Sequence, residues 1–235
     1  MKLDAFRDLQ RLGYRCASLV AASLQPGVTE RQAAARLRRS LLAAGADDFF
    51  RVPFAWFGDR TAARQLFSTG RALAEGMPFI LDCAPVWHEY VAGIGYAGVL
   101  GSNRLWSRMD ADLAGYRELI LREHRRLDEI NPRIARDGYS ARVIGHRVAR
   151  LPPRRPGRVV TMAGFGVRTL QTLGRELVAD RSPLVGRLTP GLWTVGPHIG
   201  LAGVGVKFEE LLVVTEDDAF WLDDDLPHRR RWSAA

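Results

Sequence analysis

The stretch Val204-Gly205-Val206-Lys207-Phe208-Glu209-Glu210-Leu211-Leu212-Val213-Val214-Thr215-Glu216 sets two adjacent acids inside a mostly apolar run. Val204 to Glu209 and Leu211 to Thr215 read as short strands. Alternation along a strand turns one of Glu209 and Glu210 inward and the other outward. Upstream, Trp193 to Ile199 reads as another short strand. This C-terminal block is therefore sheet.

Working back toward the N-terminus, Gly166 to Val178 has helical spacing, and Leu151 to Arg158 is a Pro/Arg-rich stretch expected to be an exposed loop. Asp110 to Ile130 is expected to be helical, with Leu113, Tyr116, Leu119, Ile120, Glu123 and Leu127 at suitable spacing. Asn131-Pro132 is expected to end or kink that helix. Phe49 to Phe57 reads as a strand, and Gly76 opens a second, Pro78 to Ala84, apolar nearly throughout and so buried. Tyr90 to Val99 reads as its hairpin partner. At the start, Leu3, Phe6, Leu9, Leu12, Cys16, Leu19 and Val20 recur at helical spacing up to Pro26-Gly27. Thr29 and Gln32 then form a capping-box pattern for a second helix, which Gly45 stops. Helices, sheet, helix and sheet in that order imply the α+β class. No strict repeat and no clear linker divide residues 1–235, so one domain is expected, closed by a short basic tail at about 228–235.

Composition narrows the function classes. With 47% apolar and 26% charged residues over 235 positions, the chain is ordinary globular protein rather than a disordered tail, a fibre or a disulfide scaffold. The net charge is +8, yet Lys2 and Lys207 are the only lysines. The arginines are spread along the chain and mixed with acids in Arg36–Arg39, Arg122–Arg126 and Arg229–Arg231, which argues against a nucleic-acid partner. Cys16 and Cys83 without a secretory signal suggest reduced thiols and a cytoplasmic protein. No apolar run approaches the length of a membrane span, so no membrane partner is expected.

Several individual residues stand out. Asp82 closes the apolar run Pro78-Phe79-Ile80-Leu81 and precedes Cys83-Ala84. An ionised carboxylate there needs a partner, either backbone N–H groups or a site. His88-Glu89 reads as a solvated hairpin tip, His124 as exposed on a helix within Arg122 to Arg126, and His228 as part of the tail.

Six stretches, in order, resemble the creatinase/aminopeptidase (M24, pita-bread) family. They are Gln25-Pro26-Gly27-Val28-Thr29-Glu30, Glu75-Gly76-Met77-Pro78-Phe79-Ile80-Leu81-Asp82, Glu89 to Ile94, Gly145-His146, Thr189 to Pro197, and Val204 to Glu216, the closest match. The resemblance implies a pita-bread fold, a curved antiparallel sheet covered by helices, without the large N-terminal domain of the prolidase branch. It also implies five ligands for two metal ions. Carried over one by one, these fall on Asp82, Gly93, His146, Gly196 and Glu209: three kept and two replaced by glycine. The family's upstream substrate-contacting histidine has no counterpart in Gly58 to Leu66, and the glycines after the metal histidine are replaced by Arg147, Val148 and Ala149.

Without the bridging aspartate and one glutamate, a dinuclear hydrolytic site cannot be held. No cofactor is expected. A single weakly bound divalent metal on Asp82, His146 and Glu209 is the open alternative. If Trp193 to Ile199 is a strand, His198 shares a face with Gly196 and could enter the space left there; otherwise it meets solvent in the turn after Pro197. The leading expectation is a metal-independent enzyme doing acid–base or C–N bond chemistry on a small polar substrate with His146, Asp82, Glu209 and His198. Arg64, Tyr96 and Tyr90 are candidate substrate contacts, with Arg60 a weaker one. A non-catalytic pseudo-peptidase that binds peptide or protein, and a mononuclear metal hydrolase, are the alternatives. The expected partner is a small-molecule or short peptide-like ligand; homodimer formation stays open.

Overall fold

The computed structural model describes residues 3–65, 67–147 and 188–234, with only the backbone of 127–128, 141–142 and 144–147. Helices α1 (Leu3–Ala22) and α2 (Glu30–Ala43) open the chain. The capping box is present as read: Thr29 Oγ1 accepts from Gln32 N, and the Gln32 side chain accepts from Thr29 N. Strand β1 (Asp48–Phe57) leads into a 3₁₀ turn over Gly58–Ala62. Then come β2 (Pro78–Trp87), β3 (Tyr90–Val91) and β4 (Ile94–Val99), helices α3 (Arg104–Arg122) and α4 (Leu127–Arg136), and β5 (Ser140–Arg147). After residue 188 follow β6 (Gly191–Leu201), β7 (Val204–Val214), β8 (Ala219–Trp221) and α5 (Pro227–Ser233). Among the described residues no helix is long and apolar enough to cross a membrane.

The strands form one antiparallel sheet in the order β1-β2-β4-β7-β6-β5, with β3 on β2 and β8 on β7. Its two halves meet at a short seam where β4 and β7 pair at only two positions, Gly95 with Glu209 and Tyr96 with Phe208. The Tyr14 hydroxyl of α1 reinforces that seam, accepting from Glu209 N and reaching the carbonyls of Glu209 at 2.8 Å and Gly95 at 3.2 Å. Alternation on β2 decides what each face does. Phe79, Leu81 and Cys83 join the core under α1 and α2, which leaves Asp82 on the opposite face. On β7, Val206, Phe208 and Leu212 join a second core with α3, α4 and Trp221, which leaves Lys207 and Glu209 on the other side.

Several expectations are corrected. Val204 to Val214 is one continuous strand, because β7 is buried along nearly its whole length and Glu210 finds a buried partner instead of breaking the ladder. The expected hairpin partner of β2 is split between β3 and β4 at Ala92-Gly93. The helix expected over Asp110 to Ile130 is broken by a 3₁₀ turn at His124–Arg126, and Pro132 lies inside α4. That turn swings His124 inward: it is buried, and its Nδ1 donates to the Leu121 carbonyl at 2.8 Å. The basic tail is helix α5, with His228 buried and Arg231 paired with Asp110. The loop expected over Leu151 to Arg158 and the helix expected over Gly166 to Val178 lie outside the described residues.

Candidate functional site

Register builds the site. Asp82 on β2 pairs with Gly95 on β4, and Gly95 pairs with Glu209 on β7. Register partners share a face of the sheet, so two carboxylates stand in one row with a bare glycine between them. Their side chains are 2% and 8% exposed. Two buried anions this close would drive one another to bind protons unless cations intervene, and two do.

Arg51 comes from β1. Its Nε lies 2.7 Å from Asp82 Oδ1, and one of its terminal nitrogens, Nη2, donates to Glu209 Oε1 and Oε2 at 2.9 and 2.8 Å. Lys207, two residues before Glu209, donates from Nζ to Asp82 Oδ2 and, at 2.9 Å, to Glu209 Oε2. Each carboxylate therefore meets both cations, and the four formal charges cancel. Burial alone would raise the Glu209 carboxyl. The charges and hydrogen bonds of Arg51 and Lys207 outweigh that and hold it well below the usual carboxylate range. Burial pulls Arg51 the other way, and Asp82 and Glu209 keep its guanidinium above its ordinary value.

The Lys207 ammonium also sits 5.8 Å from the centre of the Trp56 ring, and Trp56 stacks on His198 at 6.1 Å. Since β6 is a strand, His198 points to the same side as Gly196. Its Nε2 donates to the Thr61 carbonyl at 2.6 Å. Burial pushes the His198 ring down to about 4 against that hydrogen bond, and Lys207 and Arg64 push the same way. The ring is neutral at pH 7. Thr61 also accepts from Gly205 N through Oγ1 at 2.9 Å, so the Gly58–Ala62 turn is tied to the β6–β7 end of the row. A side chain at Gly205 would collide with the Thr61 carbonyl.

The structure brings Asp82 and Glu209 together, and it places His198 at the register position opposite Lys207. His146 lies on β5 at the register position opposite Thr194. Arg64 is exposed just beyond the 58–62 turn. Arg60 is turned toward buried Glu30, with Nε 2.9 Å from Oε1. Tyr96 follows Gly95 on β4, so it faces away from the row and packs against the core under α1 and α2. Tyr90 packs edge-on against Phe6, ring centres 5.0 Å apart, in a third core cluster. Arg51 and Lys207 were not anticipated. The available signals were Pro53, because proline within a strand marks an edge or a bulge, and the rarity of lysine in this chain. The β1–β2 register shifts on both sides of Arg51, and such irregularities re-aim side chains.

The two glycines differ in what they leave open. A Cβ at Gly93 would collide with Glu209 Oε1 and stand 2.7 Å from Thr194 Cγ2. The Glu209 carboxylate occupies the place a side chain at 93 would take. A Cβ at Gly196 would stand 3.3 Å from Glu209 Cγ and from the Phe208 carbonyl, a tight fit that a small shift relieves. Gly93→Ala is therefore expected to destabilise the protein by about 1–3 kcal/mol and Gly196→Ala by less than about 1 kcal/mol, as overpacking of different severity. Urea denaturation of both variants checks this, and the reverse order would contradict the placement of Glu209.

The two-ion centre implied by the resemblance does not fit these residues. Positions 93 and 196 offer no side chain, and the Asp82 and Glu209 oxygens are engaged by an ammonium and a guanidinium. Among the described residues no cluster of three or more His, Cys, Asp or Glu could hold a metal.

Comparisons with known proteins agree on the architecture. The X-Pro aminopeptidase from Thermotoga maritima matches with a TM-score of 0.67 at 18% identity, over 97% of this chain and 62% of that one. The prolidase from Pyrococcus horikoshii matches with a TM-score of 0.65 at 16% identity, over 92% and 60%. Dipeptidase PepE from Mycobacterium ulcerans matches with a TM-score of 0.65 at 18% identity, over 97% and 58%. The chain spans about 60% of the length of these structures. Identities this low speak to fold, and the fold is the α+β pita-bread fold. No curated protein matches the chain in sequence. The sequence model of metallopeptidase family M24 matches residues 4–216, nearly the whole chain including Asp82, His146 and Glu209, and on that match the chain belongs to metallopeptidase family M24.

Proposed function

We propose that this chain is a metal-independent member of its family, a pseudo-metallopeptidase that binds a short peptide-like or small polar ligand beside the Asp82–Glu209 row without hydrolysing it by a two-ion route. One observation carries the reading: Asp82 and Glu209 are each held by both Arg51 and Lys207. A carboxylate saturated by internal cations neither accepts a metal nor takes a proton from a nucleophile at neutral pH. The acid–base alternative needs a group that moves protons near pH 7. His198, with its ring pushed down to about 4, is a weak base there, which favours binding over turnover.

The test uses the native chain. Incubated with X-Pro dipeptides and Mn²⁺, Co²⁺ or Zn²⁺, it is expected to release no amino acid above the rate of a metal-only control. Calorimetric titration with the same dipeptides is expected to show binding that survives EDTA. Metal-stimulated release of amino acid would overturn the proposal, as would binding abolished by EDTA.

A further inference from the structure

We infer that Arg51 and Lys207 are built-in replacements for a divalent cation, and that the chain carries a latent cation site which removal of these two side chains uncovers. The inference rests on the metal-independent reading above and extends it to what the site would accept. Three observations support it.

The first is position. Lys207 Nζ contacts Asp82 Oδ2 and lies 2.9 Å from Glu209 Oε2, so one positive point already sits between two carboxylates from strands on opposite sides of the β4–β7 seam. The second is charge. Asp82 and Glu209 carry two negative charges and Arg51 and Lys207 two positive ones. One divalent ion would restore the same balance, so the expected stoichiometry is one ion. The third is residue choice. Lys207 is one of two lysines in a chain that otherwise uses arginine for its basic residues. A compact ammonium is a point charge that fits between two oxygens, whereas a planar guanidinium spreads its charge over a fork. Arg51 supplies the fork on the other side. Among the described residues the ligands on offer are the two carboxylates, and oxygen ligands suit a hard cation such as Mn²⁺ or Mg²⁺.

The experiment compares the native chain with Arg51→Met/Lys207→Met, using Mn²⁺ as the probe and the loss of its free-ion EPR signal as the readout. The native chain is expected to leave added Mn²⁺ free. The double variant is expected to bind one equivalent at least about tenfold more tightly, a step of about 1.4 kcal/mol. Its melting temperature is expected to rise with Mn²⁺ while that of the native chain does not. Adding Asp82→Asn and Glu209→Gln to the double variant should abolish the uptake. Lys207→Met alone keeps Arg51 on both carboxylates; it serves as the folded variant if the double one does not fold, and an intermediate gain is expected. The inference is overturned if neither variant binds Mn²⁺ more tightly than the native chain, or if the gain survives loss of both carboxylates. Failure here leaves the native-chain hydrolysis test untouched, and hydrolysis by the native chain would not alter what the variants bind, so the two failures are distinguishable.

Discussion

Replacing Arg51 with methionine is expected to lower the unfolding free energy by about 3 kcal/mol, the usual scale for removing one partner of a buried ion pair. For a chain of this size that corresponds to a fall in melting temperature of roughly 6–12 °C. The reason lies in what stays behind. Asp82 and Glu209 remain almost wholly buried with Lys207 as their one close cation among the described residues, so the site carries a surplus negative charge in a poorly solvated place. The figure sits at the lower end of the range because the Arg51 side chain is itself 28% exposed. Arg51→Met/Asp82→Asn removes one charge of each sign and is expected to recover part of the loss, so a double-mutant cycle should show favourable coupling. The pH dependence has a defined sign. In the native chain Glu209 is held below its ordinary value, so its contribution is fully present above about pH 5 and fades as pH falls below the usual carboxylate range. In Arg51→Met a carboxylate can take a proton and cancel the surplus charge, so the gap between the two proteins should narrow on acidification below about pH 5. A loss under 1 kcal/mol at pH 7, or a gap that widens in acid, would remove Arg51 from the centre of the site.

How much of this was legible in the sequence follows from what each feature depends on. The capping box at Thr29–Gln32, strand β2 and Asp82 were readable because local pattern decides them: a cap is a four-residue event, and an acid in an apolar strand is conspicuous wherever the strand packs. The order of six family-like stretches pointed to the fold, and Gly93 and Gly196 pointed to positions where the family's ligand side chains are missing. The two cations that hold Asp82 and Glu209 were not readable. Arg51 and Glu209 are 158 residues apart, and nothing local to β1 says that a register shift turns Arg51 toward them. The face that Tyr96 takes was hidden for a related reason. It neighbours Gly95 in the chain, but a strand alternates faces, and the face that matters was fixed by pairing with β2 and β7. His124 reads as exposed because it lies among arginines, and His228 reads as tail because it lies near residue 235. In both cases a turn or helix end points the imidazole inward while the arginines reach acids or solvent.

Replacing Arg117 with methionine is expected to have the larger effect, about 4 kcal/mol and a fall of roughly 8–16 °C, because this cluster is more deeply buried. Glu210 is the outward-alternating neighbour of Glu209, and it faces α3 and α5 instead of solvent. Arg117 grips it with two parallel bonds, Nε to Oε1 and Nη2 to Oε2, both 2.8 Å, with side chains 1% and 0% exposed. His228 of α5 completes the cluster, its Nε2 donating to Glu210 Oε1 at 2.7 Å. Burial holds the His228 ring below its ordinary value, with Arg231 and Arg117 pushing the same way and Glu210 opposing. In the native chain His228 is therefore neutral, and acid destabilises the fold as pH falls below about 6.5, because the unfolded chain takes up a proton that the folded one refuses. Losing Arg117 removes one of the charges that keep His228 neutral and leaves Glu210 short of a cation. Protonated His228 can then supply the missing charge, so the stability gap to the native chain should shrink from pH 8 to pH 6. Adding His228→Phe should abolish that shrinkage. Urea denaturation of the three proteins at both pH values decides it. A gap that does not change with pH would mean that His228 packs against Phe208 and Trp232 without answering to Glu210. Since Glu209 and Glu210 are consecutive on β7, the buried Arg117–Glu210–His228 cluster also fixes from behind the strand that carries Lys207 and Glu209, so Arg117→Met is expected to loosen the carboxylate row as well as the helix that covers it.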